Sequence, residues 1–241
     1  MWSICKKELG QLFSSLTGYI AIVLFLLING LFLFILKDSS IFENKFANLD
    51  GFFSLAPWVL LFLIPAISMW SLSDEYKSGT IEILRTRPLH PYQVILGKYF
   101  SLIIVLLFVI LPTLTYVITI QSLSTTGEID TGGIAGSYLG LFILGSVYAS
   151  ISLFCSSLSG NAVMTFLGGA FFCLILYFGF NAISKLPVFK GTYDYYIEML
   201  GIDFHYKSIS KGVIDSRDLV YFFSIILFFF LLTVKNFIRN K

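Results

Sequence analysis

The sequence predicts an all-α polytopic membrane protein with six transmembrane helices, and three observations carry that prediction. Hydrophobic residues make up 57% of the 241-residue chain and charged residues only 12%, about half of the ~25% charge typical of a soluble domain. Phe alone occurs 26 times, more apolar surface than a soluble fold of this size has interior to hide. Finally, six stretches of the length needed to cross a hydrocarbon core, roughly 20 residues, lack Asp, Glu, Lys and Arg apart from Lys235 near the end of the last.

In chain order, the first element is residues 1–16. Apolar residues recur at Ile4, Cys5, Leu9, Leu12 and Phe13, with Lys6, Lys7 and Gln11 on other faces. That spacing predicts an amphipathic helix lying in the membrane interface; a frayed basic tail is the alternative. The spans then fall at Gly18–Leu36, Phe52–Leu72, Tyr99–Ile120, Ser137–Leu158, Ala162–Ile183 and Leu219–Phe237, together filling a membrane domain over 17–241. The first is long for a signal peptide and no small-residue cleavage site follows it, so it reads as a retained helix. Each span must satisfy its own backbone hydrogen bonds, because lipid offers no partners.

The distribution of Lys and Arg sets the orientation. One set of connections holds Lys6, Lys7, Lys77, Arg85, Arg87, Lys98, Lys235, Arg239 and Lys241, whereas the two short loops on the other side hold only Lys37 and Lys45. The segment 184–218 balances five basic against five acidic residues. Both termini are therefore expected on the cytoplasmic side.

Within the spans, Pro57, Pro65 and Pro112 each remove a backbone donor and are candidate hinges, or merely static kinks. Gly132, Gly136 and Gly140 open the fourth span at four-residue spacing, Gly145 and Ala149 continue the pattern, and Gly168 and Gly169 lie in the fifth. Gly136, Gly140, Gly145, Gly168 and Gly169 are thus candidate sites of close helix packing, against a neighbour in this chain or in another. The three residues Ser159-Gly160-Asn161 make spans four and five an antiparallel hairpin. Mid-membrane carboxylates, the usual mark of ion-coupled transport, are absent, which disfavours a secondary transporter.

The segment 73–91 is the sizeable connection on the inner side. Gly79 breaks the extension of span two, Thr80 can cap a short helix over Ile81–Arg85, and Ile81 and Leu84 share its apolar face. Pro88 ends that helix, and Pro91 suits the first turn of the next. Such a helix with apolar knobs can dock on a soluble partner; a solvated turn is the bland alternative. The run Glu75-Tyr76-Lys77-Ser78-Gly79-Thr80-Ile81-Glu82-Ile83-Leu84-Arg85-Thr86-Arg87-Pro88-Leu89, followed by Gly97-Lys98, resembles the E-x-x-x-G-T-[IL]-E-x-L-x-x-x-P-[LI] pattern of ABC-2-type transporter permeases. The resemblance extends over essentially the whole chain. The segment 202–218 is similar to one branch of the family, which includes the gliding-motility-associated permeases and the permease of the copper-centre maturation system.

That resemblance implies an exporter permease of the bacterial inner membrane, paired with a separate ABC ATPase subunit and with a second permease, identical or different. It gives Glu75, Gly79, Thr80, Glu82, Leu84 and Pro88 the coupling role, with Ile81 and Arg85 completing the candidate contact residues; by their charge alone, Glu75 and Glu82 can pair with basic residues on the partner. A non-transporting membrane scaffold, or an ABC-2 permease for another cargo, remains an alternative.

The sequence carries no ATPase machinery of its own. Position 92 is Tyr and Gly97-Lys98 is followed by Tyr99, so the G-x-x-x-x-G-K-[ST] phosphate cradle is missing. No HExxH, GxSxG or Cys/His ligand spacing occurs, so neither catalysis, a cofactor nor a metal is expected. The net charge of +2 gives no footprint for nucleic acid. Of two histidines, His90 falls in the inner segment and His205 in the outer one, both expected at a surface or interface. The outer segment 184–218 reads as amphipathic helices at the outer interface, either a gate or partner platform or a lid over spans five and six.

Overall fold

The computed structural model describes residues 1–35, 49–82, 90–123, 130–187, 191 and 193–239. It is helical throughout, with no strand among the described residues. An N-terminal helix, Trp2–Ser14, turns at the extended Ser15 into the first span. Among the described residues six helices are long and apolar enough to cross a membrane: Leu16–Phe34, Asp50–Ser78, Pro91–Ser122, Thr131–Leu158, Ala162–Ser184 and Ser216–Arg239. Each expected span lies within one of these or within two residues of it. The largest difference is in span three, which starts at Pro91 rather than Tyr99, because the helix continues past the apolar stretch from which it was read.

The fourth span is the axis of the bundle. Its apolar window is 78% buried, against 28%, 28% and 22% for spans one, five and six. Spans two, three, five and six all pack on it. Its small residues make this possible. A Cβ on Gly145 would lie 2.6 Å from Cδ2 of Leu106 on span three, so only a residue without a side chain lets span three approach that closely. Three of its serines direct their hydroxyls back to the helix itself, Ser146 to the carbonyl of Phe142, Ser150 to that of Val147 and Ser157 to that of Phe154, so these polar groups are buried without demanding partners from neighbours.

Both termini sit at one end of the bundle, here called the terminal end. Asn236 Nδ2 donates to the carbonyl of Ser157, and the start of the N-terminal helix packs on Gly97, where a Cβ would lie 3.0 Å from Cβ of Ile4. The N-terminal helix then follows span three to Phe108, whose ring lies 5.6 Å from that of Phe13.

The far end is closed by the helix Ile202–Ile209. Of the two readings of this segment, its packing resembles the lid over the spans. Ile202, Tyr206 and Ile209 are buried in the common core, and the helix packs on spans four, five and six. Gly136 and Gly140 meet it and the turn that follows: a Cβ on Gly136 would lie 2.9 Å from Cα of Gly212, and one on Gly140 2.5 Å from Cγ2 of Ile209. The small-residue stripe of span four therefore finds its neighbour within this chain. A Cβ on Gly169 would lie 3.2 Å from Cβ of Pro65 on span two, whereas one on Gly168 would meet Sγ of Cys155 at an ordinary 3.9 Å, so Gly168 is not a tight-packing position within this chain.

Span two is the least regular of the six. Pro57 and Pro65 lie inside its helix, Asp50–Ser68. The helix is interrupted at residues 69–72 and resumes as a stub, Ser73–Ser78. In span three, Pro112 sits in a 3-10 turn, Leu111–Thr113, between two α-helical stretches, and span five contains a π-helical turn at Ile175–Gly179.

Candidate functional site at the terminal end

The segment after the stub helix is the candidate site, and its geometry starts at the break in span two. A helix that restarts after an interruption exposes new backbone donors. Here the N–H groups of Leu72 and Ser73 both donate to Oγ of Ser156 on span four, at 2.9 and 3.1 Å. One buried hydroxyl thus fixes the direction in which the stub leaves the bundle. The stub ends at Gly79, whose φ of +71° is the left-handed conformation that favours glycine at a helix C-terminus. Thr80 and Glu82 are exposed beyond it, and the N–H of Glu82 donates to the carbonyl of Gly79 at 3.3 Å.

The structure engages two of the candidate contact residues within the chain. Glu75 was read as able to pair with a basic group on a partner. Its carboxylate is instead buried against Lys98 at 3.0 Å and Lys7 at 3.2 Å. Ile81 was expected to face a partner, but only 5% of it is exposed and it belongs to this chain's own core. Leu84, Arg85 and Pro88 lie outside the described residues. What the stub and turn present outward is polar: Asp74, Lys77, Ser78, Gly79, Thr80 and Glu82.

Lys98 is the residue that sequence reasoning missed. It is fully buried on span three. Its ammonium group donates to Glu8 of the N-terminal helix at 2.7 Å and to the carbonyl of Ser71 at 2.6 Å, besides its contact with Glu75. Two of its N–H donors are thus taken by acceptors on two segments, and the Glu75 carboxylate adds an ion pair from a third. Next to the cluster is a cavity of about 290 Å³ bordered by Glu8, Gln11, Ser71, Asp74 and Ser101. Cys5, on the same face of the N-terminal helix, is held above its ordinary thiol pKa by burial and then by the Glu8 carboxylate.

The family of the chain follows from its sequence as a whole. The model of the ABC-2 family transporter protein matches residues 2–198. The chain belongs to the ABC-2 transporter family. No curated protein matches it. An ABC-2 membrane protein of this kind is a transport component and not itself catalytic, and the stub and its turn lie within the matched residues.

The far end of this ABC-2 protein carries a second polar cluster. Asn181 donates to Glu198 Oε1 at 3.1 Å and to Asp203 Oδ2 at 3.2 Å, and Lys207 pairs with Asp203. His205 is not at a surface: it is 3% exposed, with Nδ1 2.7 Å from Asp218 Oδ1 and Nε2 2.8 Å from the carbonyl of Met199. Ionisable groups thus stay out of the middle of the spans but are buried at both ends, on Lys98 of span three and Asp218 of span six. A chamber of about 580 Å³ opens beside this cluster, between Phe53 and Trp58 of span two and Tyr177 and Asn181 of span five.

Tyr206 links the far-end helix to span two. Its hydroxyl donates to the carbonyl of Phe53 at 2.8 Å. In an unbroken helix that carbonyl would accept from residue 57, but residue 57 is Pro and has no N–H. The phenol fills the vacancy, and burial pushes its pKa well above the ordinary range, so it remains a donor.

Proposed function

We propose that the chain is the permease subunit of an ATP-driven ABC-2-type exporter. ATP would be hydrolysed by a separate ABC ATPase subunit at the terminal end, and a second permease, identical or different, would stand beside this one in a bacterial inner membrane with both termini cytoplasmic. The observation that carries this reading is the polar turn Gly79–Glu82. It projects from a stub that continues span two, on the end of the bundle where the basic residues gather, and it contains the Gly-Thr-Ile-Glu portion of the family-like motif. An ATPase subunit that grips this turn holds a lever on the span itself. Because Glu75 is engaged within the chain, Glu82 and the positions that follow it are the residues left to meet the partner. Within the family, the resemblance of residues 202–218 to the branch that includes the gliding-motility-associated permease GldF favours a place in gliding machinery and protein secretion.

The test is co-purification. Glu82→Lys combined with Leu84→Asp is expected to abolish association with the ATPase subunit and the permease-dependent part of its ATP hydrolysis. Unchanged association and activity would count against the coupling role.

A second reading, a mechanical scaffold that moves no cargo, is favoured by one observation. The two cavities described above lie at opposite ends, with the apolar packing of Leu60, Leu61, Leu144 and Tyr148 in the core between the ends. ATP-dependent movement of a labelled candidate across proteoliposomes supports the exporter; ATP hydrolysis without movement of any candidate supports the scaffold.

A further inference from the structure

We infer that Lys98 is a positioning residue that makes the stub helix and the N-terminal helix move as one body with span three, so that a displacement of the inner turn reaches two membrane elements besides span two. This inference rests on the coupling role proposed above.

The argument starts from the weak point in the mechanical path. Span two is interrupted between Ser68 and Ser73, so a force applied at Gly79 would be absorbed by bending at the interruption unless the stub were braced. Two braces cross it. Ser156 holds the backbone at Leu72 and Ser73, which fixes where the stub begins but not where its length points. Lys98 holds the stub further along, through Glu75, and holds the interruption itself through the carbonyl of Ser71. The same ammonium group holds the N-terminal helix through Glu8.

The chemistry of the brace suits transmission. Apolar contacts at these positions would let the helices slide, whereas an ammonium group with three acceptors at hydrogen-bond distance fixes their register. Two carboxylates, Glu8 and Glu75, balance two ammonium groups, Lys98 and the half-exposed Lys7, so the cluster is neutral and needs no counter-ion. Because Lys98 itself is inaccessible to solvent, water does not compete for its donors. The cavity beside Glu8, Ser71 and Asp74 leaves room on one side for the braced body to shift without breaking the cluster.

The experiment uses the full permease with its ATPase subunit in nanodiscs, ATP as the only ligand, and spin labels at Gln11 and Lys77, both exposed, after the buried cysteines are replaced. With Lys98 intact, the distance between the labels should be narrow and identical in the nucleotide-free and ADP–vanadate-trapped states. In Lys98→Met it should broaden by several ångströms on trapping, with loss of the permease-dependent rise in ATP hydrolysis. If Lys98→Met fails to fold, Glu75→Ala carries the test, because it removes the tie between Lys98 and the stub and leaves Lys98 its bonds to Glu8 and to the Ser71 carbonyl. A distance that broadens on trapping there supports the inference, and a narrow, state-independent one overturns it. Wild-type distances in a folded Lys98→Met complex likewise overturn it. A wild-type permease that binds no ATPase subunit would defeat the coupling role instead, and is read separately from the distances.

Discussion

The contact between Gly212 and span four makes a sharp prediction, because a second glycine serves as its control. Gly212 and Gly79 both have positive φ, +80° and +71°. An alanine at either position adopts a left-handed conformation, which costs roughly 1–2 kcal/mol. They differ in their surroundings. A Cβ on Gly79 meets nothing within 4 Å, whereas one on Gly212 would lie 2.4 Å from Cα and 3.0 Å from the carbonyl oxygen of Gly133. Those obstacles are backbone atoms of span four and cannot rotate away, so the far-end turn or the helix must move, an overpacking cost of about 1–3 kcal/mol. Gly212→Ala should therefore destabilise by ~2–5 kcal/mol and Gly79→Ala by ~1–2 kcal/mol. At about 2–4 °C per kcal/mol for a chain of this size, thermal unfolding in detergent should place the Gly212→Ala midpoint clearly below that of Gly79→Ala. Equal losses in the two variants would refute the backbone-to-backbone contact, and with it the docking of the far-end helix against span four.

Three further outcomes follow from single groups. Ser156→Ala leaves the N–H groups of Leu72 and Ser73 buried without their acceptor, at ~1–3 kcal/mol per donor; a thermal midpoint like that of the wild type would show that the stub is held by something else. Tyr206→Phe removes the only donor identified for the Phe53 carbonyl, which Pro57 cannot serve, and should cost about 1–2 kcal/mol, whereas the same change at the exposed Tyr196 should cost nothing measurable by the same melt. Cys5, Cys155 and Cys173 are all buried and free, and the Cys5 thiol is raised by burial and by Glu8, so less thiolate is present at any given pH. Maleimide should label the folded protein slowly at neutral pH, faster as pH rises, and at all three thiols once it is denatured; rapid labelling of Cys5 at neutral pH would contradict its burial.

What was legible in the sequence is what depends on local chemistry. A span announces itself because each of its residues is separately more favourable in lipid than in water, so all six could be placed from composition alone. Gly79 as a breaker and the glycines of span four as close-packing sites were legible for the same reason: a missing side chain has consequences whatever its neighbour. The identity of the neighbour was not. Gly136 and Gly140 meet the far-end helix and its turn, which arrive some 70 positions later. Lys98 looked like a charge flanking a span, and only folding brings it to Glu8 and Glu75. Pro57 signalled a free carbonyl at Phe53, but its donor lies 153 residues downstream. For 184–218 the same non-locality kept two readings open, a platform or a lid, because an amphipathic helix has the same pattern whether its apolar face meets lipid or the tops of the spans.

These non-local contacts share a target, and that target suggests how the two ends of the molecule communicate. Span two has a proline gap near each end of its helix and a full interruption after it, so by itself it is a segmented rod. The missing bond at Pro57 is replaced from the far-end helix by Tyr206. The broken end at residues 69–72 is held from span four by Ser156 and from span three by Lys98. The segment between Pro57 and Ser68 is therefore gripped at one end by the element that closes the far-end chamber and at the other by the braces of the inner turn. A rotation of the stub that preserves its braces must either strain the Phe53–Tyr206 hydrogen bond or carry the far-end helix with it. On the coupling role proposed above, the span that would receive a displacement at the terminal end also forms one wall of the chamber at the other, so no further relay through the remaining helices is required.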